Sequence, residues 1–503
     1  MRKLIVLGLA LAIGSAAEAK TCSVPADHAT VQSAFDDAAC DPIQIAAGTY
    51  KGSFTLHRTV TVHGAGPGVT ILDGQNTGRV LTIVAPAGHP LHDPTFVVVL
   101  TGLAIQHGNA HGSGVNDLVG GGIADFSGPL VLVDCDVSHN AASVLDNRAA
   151  GGGIESLGGD LSLIRTTVTS NTSGGYAGAI DTEQDYTVIA DSTISNNSAR
   201  TDAAGIEAGG LGISITRTTI ANNSGHGSGG GIDDEGGPLY IDHSVVTGNT
   251  ALEYGGGVGS VGGGMTMIAC TVSDNTINDG DGGGVAQEGS YLILRRSTIS
   301  DNSLSNGNGG GLAVNPDAGQ LVLIEDCTFT GNSNGGNGGG VFVGLSGASN
   351  PAIFDSTIAG NSAHSGGGIF AERSGGTSRL DVAVSVVSAN SPGDCAVGAL
   401  LLSLGHNMAK DSTCPFTASG DHKGTDPKLG PLALSFPGET ATLPLLPGSP
   451  AIDAGDDDLA TATDQRGVPR AGAHPDIGAF EVADSGIPVI PVEELDLRPL
   501  GGS

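Results

Sequence analysis

The chain has 503 residues and a formal charge of −32, from 52 acidic against 20 basic side chains. That imbalance excludes nucleic acid and anionic bilayers as direct partners, because each needs a basic face, while neutral glycans, cations and cationic surfaces stay open. Glycine supplies 84 residues, aromatics 3% and tryptophan none, and the 39% hydrophobic residues recur in phase, so the chain reads as turn-dense β-structure and not as a linker or a helical protein.

Residues 1–19 begin with Arg2 and Lys3, run apolar from Leu4 to Ile13 and end Ala17-Glu18-Ala19, the pattern of a cleavable export signal. Cys22 follows Lys20 and Thr21, not the small residues of a lipoprotein box, and no later run is long and apolar enough to span a bilayer. The expected location is therefore secreted or cell-surface. Cys22 and Cys40 flank the first mature segment, and Cys395 and Cys414 flank a loop far downstream, so two disulfides, Cys22–Cys40 and Cys395–Cys414, are expected in an oxidising compartment.

Between Asp27 and Ala38, Val31, Ala34, Phe35 and Ala38 fall at helical spacing, which predicts a short amphipathic helix closing an open sheet edge. Short strand-like runs follow at 43–45, 59–62, 69–72, 80–84 and 96–105.

From about residue 120 one sentence repeats: glycine triplet, apolar strand, small residue, apolar strand, Asn. The Asn positions are Asn140, Asn171, Asn197, Asn223, Asn249, Asn275, Asn302, Asn332, Asn361 and Asn390, with steps of 26 to 31. A fixed period of this size means units that bury their apolar side only when stacked. The Asn column is read as structural: Asn tolerates the left-handed backbone of a sharp turn, and identical side chains one rung apart can hydrogen-bond along the axis. Cys135, Cys270 and Cys327 lie five residues before a ladder Asn, where other repeats carry Ser or Thr, and read as small buried residues.

Gly48-Thr49-Tyr50, Gly64-Ala65-Gly66 and Ile71-Leu72-Asp73-Gly74 resemble the opening of pectate-lyase-like parallel β-helix proteins, and Phe329-Thr330-Gly331-Asn332 resembles the FxxN signature of bacterial polymorphic outer-membrane protein repeats. The resemblance implies an all-β, single-stranded, right-handed parallel β-helix over 41–395, with 20–40 as an N-terminal cap. Beyond it, Asp426-Pro427-Lys428-Leu429, Ser449-Pro450-Ala451-Ile452-Asp453-Ala454-Gly455, Asp464-Gln465-Arg466-Gly467 and Asp476-Ile477-Gly478-Ala479-Phe480-Glu481 are similar to the choice-of-anchor Q module, which implies a bacterial surface or secreted protein. That module, 396–482, is expected to cap the last rung, leaving 483–503 as a tail with no hydrophobic anchor.

One column stands apart from the scaffold. Directly after Ile154, Ile180, Ile206 and Ile232 come Glu155, Asp181, Glu207 and Asp233, 26 residues apart, with Asp234 adjacent to the last. If each Ile points inward, alternation sends the four carboxylates outward in one line. Three readings are open. The line is a solvated acidic face, or it holds calcium with Asp234 joining, since that ion takes several carboxylate oxygens in flexible geometry. Alternatively it is catalytic, a polysaccharide lyase or glycoside hydrolase working through paired carboxyls. The leading expectation is a structural or adhesive protein that binds glycan or calcium. The oligomeric state is not encoded in any of these features.

Overall fold

A computed structural model describes residues 20–482 except 91, 184, 348, 349, 374, 398 and 399, so the signal-like segment and the tail lie outside the described residues. The chain is a right-handed parallel β-helix of about thirteen coils with three long sheets. Sheet I has 15 strands from Lys20–Val24 to Leu401–Gly405, sheet II has 15 from Gly48–Lys51 to His422–Lys423, and sheet III has 13 from Phe54–Leu56 to Cys395–Ala396. The repeat containing Asn249 shows the order within one coil: Ile232–Asp234 in sheet III, Leu239–Asp242 in sheet I, Val245–Thr247 in sheet II, then Thr250–Ala251 in a short lateral ribbon. Every pairing between named strands is parallel, as a coil that returns above itself requires.

The apolar residues of each strand form inward columns. In sheet III one column runs Ile154, Ile180, Ile206, Ile232, Val258, Val285, Leu312, all fully buried. Burying continuous rows of Val, Leu and Ile contributes roughly 25 cal/mol per Å² of apolar surface removed from water, and only stacking removes it.

The Asn ladder is present along its whole length. Asn223 Nδ2 donates to Ile194 O at 3.1 Å and to Asn249 Oδ1 at 3.0 Å, and the Asn223 amide donates to that same oxygen at 3.0 Å. The pattern repeats from Asn140 to Asn390, where Asp394 takes the place of the next Asn, accepting from the Asn390 amide at 3.0 Å. The expected backbone role is corrected, because the left-handed residue is the one before each Asn: His139, Ser170, Asn196, Asn222 and Asp274 have φ near +56°. Turning that residue frees the Asn to aim its side chain into the stack.

A second polar ladder runs at the corner between sheets I and II. The Thr166 amide donates to Ser192 Oγ at 3.1 Å, the Thr218 amide to Ser244 Oγ at 3.1 Å and the Cys270 amide to Ser297 Oγ at 3.0 Å. The three buried free cysteines occupy this column, and the Cys270 thiol bonds the Ile268 carbonyl at 3.2 Å. They therefore serve as substitutes for hydroxyls.

Both ends are closed. Helix α1 (Val31–Asp36) is shorter than its apolar spacing predicts: Thr30 and Ser33 cap it reciprocally, Val31, Ala34 and Phe35 are buried, and Ala38 lies beyond it, exposed. Both expected disulfides, Cys22–Cys40 and Cys395–Cys414, are formed. At the other end rungs continue past Cys395 as far as His422–Lys423. The remaining chain does not merely cover the last rung but folds back along the outside of sheet II. There the outward hydroxyls of Thr298, Thr328 and Thr357 need partners: Gln465 Nε2 donates to Thr298 Oγ1 at 2.9 Å, Thr328 Oγ1 to Gln465 Oε1 at 2.6 Å, and the Ala479 amide to Thr357 Oγ1 at 3.0 Å. Arg470, buried, pairs with Asp326 at 3.0 Å and Asp355 at 3.4 Å.

Replacing Asn223 with Ala in mid-ladder removes four side-chain hydrogen bonds and strands the Ile194 carbonyl and the Asn197 amide in the core. Each buried unsatisfied group costs about 1–3 kcal/mol, so Asn223→Ala should destabilise by at least about 2 kcal/mol in urea unfolding, whereas exposed Asn222→Ala should change it far less.

Candidate functional site

The four acidic residues are in register: Glu155 pairs with Asp181, Asp181 with Glu207 and Glu207 with Asp233 on successive strands of sheet III. Before them the same column carries Thr82 and Ala124; after them it carries Gly259, Ala286, Ala313, Phe342 and Phe370. Alternation sends the side chains away from the apolar core, as expected, but the solvated face is overturned. Glu155, Asp181 and Asp233 are 1–3% exposed, and Glu207 alone is half-buried.

At Glu155 and Asp233 the preceding glycine triplet lies against the acid. Gly151 and Gly229, the first of their triplets, have φ of +56° and +54°, which folds the incoming loop onto the residue four positions on. A Cβ on Gly151 would stand 2.7 Å from Glu155 Oε2, and one on Gly229 would stand 2.5 Å from Asp233 Cβ. Alternation fixes the direction in which an acid points; the returning loop decides whether water reaches it.

Asp234 does not join the column. One position further along the strand, it returns to the core side, where Ser260 Oγ donates to Asp234 Oδ2 at 2.8 Å. Glu183 and Glu235 lie exposed beside the acids, and Asp202 is half-buried.

The electrostatics follow from burial without partners. Loss of water pushes Asp233 up to about 8, helped by Asp202 and Glu235. The same desolvation, reinforced by neighbouring carboxylates, raises Glu155, Asp181 and Glu207. Glu155 Oε2, Glu207 Oε2 and Asp233 Oδ1 are buried with no hydrogen-bond partner.

The cation at the head of the column is Arg79, whose position in an irregular early coil hides it from repeat alignment. Its guanidinium donates to Val119 O at 2.7 Å, lies 5.6 Å over the Phe126 ring and exerts its charge on Glu155. Arg165 and Arg217 stand elsewhere, paired with Asp134 and Asp191 at 2.7 and 2.6 Å. His226, as expected of a loop residue, bonds the Ala199 carbonyl at 3.1 Å. Asp279 and Asp281 lie in an extended strand, Thr276–Asp281.

Among the described residues, no three acids of the column bring one oxygen each within 4.8 Å of one another. Two neighbouring rungs can offer a pair of carboxylates to one cation, and the remaining ligands must come from outside the column.

Further along the same face is a cavity of about 330 Å³ lined by Asn308, Asn315, Pro316, Phe342, Gly344 and Glu372. Phe342 and Phe370 stack there, ring centres 5.7 Å apart and 9° from parallel. A larger cleft of about 420 Å³, between His406, His422, His474 and Asp456, lies away from this face and contains none of the raised carboxyls.

A family-model match over part of the chain agrees with the architecture. The family described as right handed beta helix region matches residues 254–399. A pectate lyase, Pel9A, is similar over 88% of this chain and 87% of its own, at 12% identity and TM-score 0.33. The catalytic domain of a GH87 α-1,3-glucanase in complex with tetrasaccharides is similar over 80% and 70%, at 13% identity and TM-score 0.30. A mannuronic acid specific family 6 lyase from human gut microbiota is similar over 76% and 85%, at 14% identity and TM-score 0.26. No curated protein matches the sequence.

A carboxyl whose folded value is raised binds protons that the unfolded chain has released, so its contribution falls as pH rises. For Asp233 the window runs from about pH 4 to about pH 8. Asp233→Asn should therefore leave stability near pH 4 almost unchanged and raise it at pH 8 by at least about 1 kcal/mol. Thermal melts of both proteins across that range check it; parallel pH profiles would show that Asp233 is not buried as an acid.

Proposed function

We propose that this is an exported bacterial surface or secreted protein that binds an extended glycan along sheet III, using calcium-class cations held between neighbouring carboxylates of the column Glu155, Asp181, Glu207 and Asp233. The observation that carries the reading is the set of buried, unpartnered oxygens on Glu155, Glu207 and Asp233 in a column whose first acid feels the charge of Arg79. A hard divalent cation accepts six to eight oxygens in flexible geometry. Two rungs supply part of that set, and the hydroxyl or carboxylate oxygens of a glycan can complete it.

Beyond Asp233 the column continues as buried Gly259, Ala286 and Ala313, and four rungs on, about 19 Å at the usual strand spacing, comes buried Phe342, on which half-buried Phe370 stacks and offers an aromatic contact to an extended ligand. Export rests on residues 1–19, and surface association on the choice-of-anchor Q resemblance of the C-terminal motifs.

A second reading, glycoside hydrolysis, is favoured by Glu207. It is the least buried of the four, holds its proton, and has Asp181 and Asp233 one rung to either side. One rung, about 4.8 Å, is close to the separation of roughly 5 Å that retaining glycosidases use.

Calcium should raise the melting temperature at pH 7.5, because a ligand of the native state stabilises it, and should fail to do so for the Asp181→Asn, Asp233→Asn double variant. Glycan-panel binding should require calcium and weaken in the same variant. An unchanged melt together with calcium-independent binding would overturn the cation reading. Chain shortening abolished by Glu207→Gln would make the hydrolytic reading the correct one.

A further inference from the structure

The N-terminal cap gathers four side chains able to bind a metal from four separate elements. Cys22 comes from the first strand, Lys20–Val24, and Cys40 opens the second, Cys40–Ile45. His28 lies in the turn ahead of α1, and Asp37 is the C-cap of that helix. One donor atom from each lies within 4.8 Å of all the others. His28 Nε2 is 3.2 Å from Cys40 Sγ and 3.3 Å from Asp37 Oδ2.

The two separations from His28 approach the edges of a tetrahedron around zinc, and the Cys22 and Cys40 sulfurs, bonded to each other here, must part before both can join it. With nitrogen and oxygen ligands at about 2.0–2.1 Å and sulfur at about 2.3 Å, the edges are roughly 3.3–3.8 Å. The surroundings hold the donors in place. Asp37 Oδ1 already accepts from the Ala39 amide at 3.0 Å, which leaves Oδ2 facing the imidazole. Arg58 donates to the Cys40 carbonyl at 2.6 Å, which fixes the backbone that carries the sulfur.

We propose that the cap has two mutually exclusive cross-links: the Cys22–Cys40 disulfide when oxidised, and one zinc-class ion on Cys22, His28, Asp37 and Cys40 when reduced. A dithiol reductant supplies two electrons and two protons, breaks the sulfur–sulfur bond to give two thiols and is itself oxidised to a disulfide. The ion then displaces the two thiol protons and binds both thiolates with its own oxidation state unchanged. Either link ties α1 to the first coil, so the cap stays closed in both redox states. The second disulfide, Cys395–Cys414, has no such set of donors around it among the described residues and forms a natural control.

The test uses tag-free full-length protein with cobalt(II) as the probe, before and after reduction with a phosphine. Reduced protein should show the absorption of tetrahedral cobalt and a sulfur-to-metal charge-transfer band, saturating at one ion per chain and bleached by zinc. Oxidised protein should show neither. His28→Ala, which leaves the disulfide pair intact, should bind at least about tenfold more weakly, as loss of a ligand exceeds the effect of losing an outer partner. Cys395→Ser with Cys414→Ser should bind like the parent. Absence of the charge-transfer band after reduction would overturn the proposal, as would a band that survives in Cys22→Ser or an affinity indifferent to His28→Ala.

Discussion

The structure depends on how the backbone amide at one corner of each coil is satisfied. A parallel β-helix pairs its strand amides automatically, but where the chain turns out of sheet II the amide points along the axis with no strand opposite it. The Asn ladder meets that demand: each side-chain oxygen accepts from the amide and the side-chain nitrogen one rung below, while its own nitrogen reaches a carbonyl in that lower rung. Each Asn thus satisfies the rung below it, and stacked copies add a side-chain bond to the next Asn. Register is thereby fixed from rung to rung, and every other column in the molecule inherits it.

Fixed register is what makes the acid column expensive. Chemically similar residues at equivalent positions are stacked about 4.8 Å apart whether or not their charges tolerate it. On an open face water would screen four carboxylates; at Glu155 and Asp233, beneath the turns that start at Gly151 and Gly229, it does not, and burial raises both acids above the usual carboxylate range. The C-terminal segment shows the opposite solution to burying charge. Arg466 there lies against Asp464 at 2.6 Å and over the Phe480 ring, and Arg470 sits among Asp326, Asp355 and Glu481, so buried carboxylates meet buried guanidinium groups. The contrast within one chain sets the sheet III column apart from ordinary structural use of acids.

How far this was legible in the sequence follows from which features repeat. Period, strand order, the Asn ladder and both disulfide pairings were readable because they recur or stand at fixed distances from what recurs. Asp234 was misassigned because adjacency in sequence is opposition across a strand. The left-handed residue was placed one position late because Asn is the better known bearer of that conformation, whereas His139, Ser170 and Asp274 carry it here. Arg79 was missed because it belongs to a coil that precedes the repeats, and the burial of the acids because alternation contains no information about a loop crossing overhead. The signature residues of the C-terminal segment were visible, but their use, docking on Thr298, Thr328 and Thr357, depends on contacts more than a hundred residues apart.

The restriction of the acids to four rungs argues against a role in solubility. A chain that needs surface charge places it where water can reach it, and Glu183 and Glu235 show that exposed positions were available within a few residues of the column. Stability does not require acids at this position either, since Ala124, Gly259, Ala286 and Ala313 fill it in neighbouring rungs with the strands still paired. What remains is a property that only acids supply and only close stacking produces, a set of oxygens held together against their mutual repulsion. Such a set is at its most favourable when a cation or a shared proton lies among them.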